Sequence, residues 1–168
     1  KDIVLGLYYL TVEREGEKGE GMIFGNLGEI QLALDNKAVT LHTKIKAMYH
    51  GVDEQGNPKK SIVDTTVGRM ILSEIFPRNA SLDFSIINRL ITSKEVSKLV
   101  DEVYRHCGQK ETVIFADRLM GLGFKYATHS GISFGKDDLV VPDEKKKFVD
   151  DTKVKASEYE QQYLDGFI

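Results

Sequence analysis

The sequence holds a single cysteine, Cys107, in 168 residues. One thiol excludes an internal disulfide and any zinc set built on several cysteines. The chain therefore suits a reducing, cytoplasmic setting. There is no basic excess either. Lys and Arg number 23 against 26 Asp and Glu, for a net charge of −3, so the chain advertises no nucleic-acid surface of its own. No leader pattern and no membrane-length apolar run is visible. Internal repeats and low-complexity tracts are absent as well. What is present is 41% hydrophobic and 29% charged residues. That balance supports a packed core in one domain, with room for an appendage.

Along the first half, "DIVLGLYYLT" is apolar almost all round and reads as a short buried helix or strand. "EREGEKGEG" is a solvated loop and "MIF" a short strand. "LGEIQLALDNKAV" places Leu27, Ile30 and Leu34 at helical spacing and stops at Asp35-Asn36. "VTLHTKIKAMYH" alternates, with Val39, Leu41, Thr43, Ile45, Ala47 and Tyr49 on one face and His42, Lys44 and Lys46 opposite. "DEQGNPKK" is a turn built on Gly56, Asn57 and Pro58. "SIVDTTVGRMILSEIF" reads as strand again, pairing back as a hairpin and ending at Pro77.

The second half turns helical. "LDFSIINRLI" carries Phe84, Ile87 and Ile91 on one side. "TSKEVSKLVDEVYRHCG" is the clearest helix, with a Thr92/Glu95 capping box and an apolar stripe of Val96, Leu99, Val100, Val103 and Cys107. Gly108 stands where a left-handed C-cap belongs. "TVIFADRLMGLGFKYATHSG" is apolar on more than one face and should be buried. Gly121 and Gly123 predict a kink there, and Gly131 a stop. "ISFGKDDLVV" reads as a short strand with a turn near Gly135. From Asp143 the chain becomes polar with a thin stripe of Phe148, Thr152, Lys155 or Ala156, Tyr159 and Tyr163, which suits an arm of roughly 30 Å packed on one partner helix. The apolar start and the "DGFI" end lead us to expect an excised fragment. The fold class is α+β: a small mixed β-sheet with hairpins, a helical layer, and a projecting C-terminal α-helical arm.

Candidate chemistry is sparse. Ser130, His129 and Asp137 suggest a hydrolase, but adjacent side chains diverge and no G-x-S-x-G elbow is present. The stretch reads as a structural corner. His42, His50, His106 and His129 lack the spacing of a metal site. Asp137-Asp138 reads as a solvated turn, and Cys107 as a core thiol. "GEKGEG" is a weak phosphate-loop candidate without G-K-[ST]. Arg69, placed within a strand, can clamp an anion, though a structural salt bridge is the commoner use.

The order of segments says more than any cluster. "DIVLGLYYLT", "VTLHTKI", "DTTVGRMI", "TVIFADRLMGLGFKYATHSGIS" and "DDLVVPDEKK" occur in sequence, and together they resemble the bacterial DNA-directed RNA polymerase beta-prime subunit over essentially the whole chain. The resemblance implies that residues 1–142 form the pore domain walling the secondary channel, through which nucleotides enter and backtracked RNA slides. It implies that residues 143–168 begin the first rim helix, truncated, where channel-binding transcription factors dock. The resemblance also implies that magnesium and a structural zinc belong to the intact subunit and that the catalytic aspartates lie upstream, so an isolated chain is expected to be inactive and to hold no metal. Implied partners are the alpha, beta, omega and sigma subunits, template DNA, nascent RNA and those factors, with no membrane. Lys110, Ile114 and Asp117 match positions that bind guanosine tetraphosphate in related polymerases, while Gly121 stands where some relatives carry tyrosine.

Overall fold

The structure, a computed structural model, describes residues 2–137, with side chains through residue 131. Helix α1 (Asp2–Thr11) buries Ile3, Leu7 and Leu10 completely or nearly so. Strand β1 (Ile23–Phe24) follows the glycine-rich loop. Helix α2 (Leu27–Asp35) starts on Asn26, whose side-chain oxygen accepts from Glu29 N at 2.9 Å. The Glu29 carboxylate reaches back past the cap to accept from Gly25 N, so one orphan donor of the first turn is satisfied and the incoming chain is tied to the helix.

Strands β2 (Lys44–Val52) and β3 (Pro58–Thr66) form an antiparallel hairpin registered from Lys44↔Thr66 to Val52↔Pro58. Strand β1 joins the other edge of β2 in parallel, giving a mixed sheet in the order β1-β2-β3. Ile45, Ala47 and Tyr49 point into the core while Lys46 and His50 face out, as period two requires. At the hairpin tip, Asp53 Oδ1 accepts from Gln55 N and Asn57 N, and Gly56 takes a positive φ of 81°.

The strand expected through "VGRMIL" is instead helix α3 (Val67–Ser73). Thr66 ends β3 and N-caps this helix, accepting from Arg69 N at 3.2 Å. Val67, Met70, Ile71 and Leu72 are all buried. A short segment buried on every side carries no alternation, and the cap decides its conformation. The helix expected over "LDFSIINRLI" shrinks to a 3-10 turn (Phe84–Ile86) capped by Asp83. Its three predicted core residues, Phe84, Ile87 and Ile91, are nonetheless buried.

Helix α4 (Ser93–Asp137) has one internal break, at Gly108, with φ 83° and ψ −179°. That region is essentially restricted to glycine. The expected stop is thus an interruption, after which the helix resumes. The predicted kink at Gly121 and Gly123 is absent, and the helix also runs through Gly131 rather than stopping there. Packing supplies the reason. A Cβ on Gly6 would overlap the Gly123 carbonyl oxygen, and one on Gly123 would overlap Ile3. The two glycines let α1 and α4 touch backbone to backbone. The strand expected from Ile132 is helical as far as Asp137. The rest of that strand, the 142/143 domain boundary and the C-terminal arm lie outside the described residues.

Candidate functional site

The second segment of α4 carries Lys110, Ile114 and Asp117 at i, i+4 and i+7, so all three share one helical face. Lys110 and Asp117 are exposed and Ile114 is half-buried. Lys110 stands in the first turn after the Gly108 break, which Thr112 tightens by donating its hydroxyl to Gly108 O at 2.7 Å. Beside this face lies a cavity of about 260 Å³ lined by residues of the α3 exit and of α4. Its apolar wall includes Phe76 and Phe115, whose rings meet edge to face at 6.2 Å. Ile114 belongs both to this wall and to the Lys110/Asp117 face.

The cavity's charges are mixed: Arg78 and Arg118 face it together with Glu74 and Glu111. Arg78 is committed to structure. Its Nη1 donates to Tyr49 Oη, Ser73 O and Phe76 O at 3.0–3.1 Å, and its guanidinium covers the Tyr49 ring at 4.9 Å. Burial pushes the Tyr49 hydroxyl's pKa up, against the pull of Arg78. Nothing in this arrangement pairs a nucleophile with a base.

The Ser130/His129/Asp137 set does not assemble either. Ser130 is 1% exposed. His129 is exposed and lies against Tyr9 and Tyr126, each at 6.0 Å between ring centroids. Consecutive positions on a helix point about 100° apart. The two side chains therefore part, and the free-standing hydrolase has no support. Cys107 is half-buried on its stripe; burial and Glu111 push its thiol pKa up, away from thiolate chemistry. In "GEKGEG" the Glu20 carboxylate accepts from Gly16 N at 3.1 Å, taking an amide a phosphate would need.

Two residues were misplaced by periodicity. Arg69 lies on α3, not in a strand, and its Nε donates to the Thr11 carbonyl at 3.0 Å at the end of α1. It caps a helix and, among the described residues, forms no salt bridge. His42, expected on the solvent face, is 3% exposed. The strand begins only at Lys44, and the preceding Thr40–Thr43 turn rotates His42 inward. The two Thr hydroxyls bonding within that turn were its one sequence signal.

Residues 1–139 match the family model for RNA polymerase Rpb1, domain 3. The chain belongs to that family. Rpb1 domain 3 is part of the largest subunit of RNA polymerase, so other polymerase subunits are its partners. Among the described residues no three His, Cys, Asp or Glu gather into a metal-binding group. Among those residues, too, no helix is long and apolar enough to cross a membrane.

Proposed function

We propose that this Rpb1 domain 3 chain is the pore region of a bacterial beta-prime subunit, walling the secondary channel of a cytoplasmic DNA-directed RNA polymerase. The family match over residues 1–139 carries the reading. The close backbone crossing of α1 and α4 at Gly6 and Gly123, which suits a stiff wall, supports the reading. Bond formation belongs to aspartates and magnesium elsewhere in the subunit, and the chain alone performs no nucleotide addition. The test uses complete polymerase with a photo-crosslinking residue replacing the exposed Tyr8, Tyr104 or Phe124 in turn. A backtracked complex with 3′-labelled RNA should crosslink from at least one of these positions. Labelling at none of them overturns the channel-wall assignment.

Within that reading, Lys110, Ile114 and Asp117 form an effector-nucleotide face. Lys110 offers charge to a phosphate beside the positive end of the restarted helix. Ile114 offers an apolar contact, and Asp117 an acceptor for a guanine edge. A charge-assisted contact is worth about 1.5–3 kcal/mol, so Lys110→Ala should weaken guanosine tetraphosphate binding to complete polymerase by about tenfold or more. Equal affinity before and after the substitution removes the site.

A further inference from the structure

His42 sits where the end of α1, the Arg14 loop and the late turns of α4 meet. Its Nδ1 lies 3.2 Å from the Val12 carbonyl oxygen. A carbonyl only accepts, so Nδ1 carries the proton and Nε2 of the neutral ring is a bare acceptor. That Nε2 is buried and, among the described residues, no hydrogen-bond partner reaches it. The ring meets Tyr9 of α1 edge-on at 4.9 Å, and Tyr9 in turn contacts His129 of α4. Arg14 and His129 act against a proton on His42, and Glu17 acts for one. Arg14 and Glu17 also face each other, at 3.9 Å.

We propose that His42 is an acid-sensitive latch on the joint between α1 and α4, closed when the ring is neutral and released when it is protonated. A proton taken up from solvent at Nε2 creates an N–H with no acceptor and a charge with no counter-ion in contact among the described residues, close to the Arg14 guanidinium. The relief is for the ring to turn out into water. That breaks its bond to Val12 and its edge contact with Tyr9, through which α4 feels the change. The sign follows from burial, which is the main cause holding the His42 pKa below its ordinary 6.5. As pH falls through 6.5 the opened state binds the proton first, so the joint is fully stable above that value and loses stability below it.

Hydrogen exchange of the complete polymerase, corrected for the intrinsic pH dependence, reads this out at about pH 7.5 and about pH 5.5, a unit either side of the ordinary histidine value. Peptides covering residues 2–12 and 120–131 should exchange faster at the lower pH, by up to about tenfold, because about pH 5.5 lies one unit below the ordinary histidine value. In His42→Gln, whose amide can donate to Val12 without titrating, the acid response should vanish. In His129→Gln, which removes one opposing group at an exposed position, it should shrink. No acid response in the wild type, or the same response in His42→Gln, overturns the latch. Should His42→Gln fail to assemble, the His129→Gln comparison decides: a response equal to the wild type's overturns it.

Discussion

The two segments of α4 are held by different means. Before Gly108 the helix buries a single stripe of Val96, Leu99 and Val103 and laces its outer surface with ion pairs, Arg105–Asp101 at i, i+4 and Lys98–Glu95 at i, i+3 among them. After Gly108 the helix buries Phe115, Leu119, Tyr126 and Ala127 and lies directly on α1. The first segment is an amphipathic helix that rests on the core. The second is part of the core. The lesson is that charge pairs decorate a helix whose position other contacts have already set, whereas the absence of two side chains, at Gly6 and Gly123, sets a position outright.

The largest effect should come from refilling that absence. Gly123→Leu forces bulk into Ile3 and its backbone, and should cost about 3 kcal/mol in urea denaturation of the chain. A cost near zero would mean that the two helices do not touch as described. Gly108→Ala tests the boundary itself. No neighbouring atom obstructs a side chain there, so the cost is conformational only, about 2 kcal/mol for a φ of 83° with an extended ψ. A stabilising result would show that the two segments prefer to be one straight helix. The smallest effect should be Asp101→Asn, which removes the 3.1 Å pair with Arg105 at a position where both side chains are more than half exposed. Its cost should be at most about 0.5 kcal/mol and should fade with added salt. A loss matching that of Gly108→Ala would erase the contrast between the segments.

The same contrast sorts what was legible in the sequence. Patterns that depend on one face being wet were readable. The alternation of β2, the Leu27–Asp35 helix with its Asp35-Asn36 stop, and the stripe of Val96, Leu99 and Val103 all follow from burial on one side only. Where burial closes round a segment the periodicity vanishes, and α3 was misread as strand for that reason. Glycine carries two opposite messages, and sequence alone does not separate them. Gly108 breaks its helix through a positive φ; Gly123 sustains its helix because a neighbouring helix fills the missing Cβ's place. The Lys110/Ile114/Asp117 face came from family resemblance and not from periodicity. The cavity beside it, which joins Ile114 to the α3 exit, had no sequence signal because its walls lie far apart in the chain.

The Gly6–Gly123 crossing has a mechanical consequence. Helices that meet through long side chains can ratchet past one another by swapping rotamers. Helices that meet main chain to main chain have no such slack, and neither can slide or roll without first lifting off. A displacement of α4 at Gly123 therefore cannot be absorbed by rotamer changes at the crossing and has to be shared by α1.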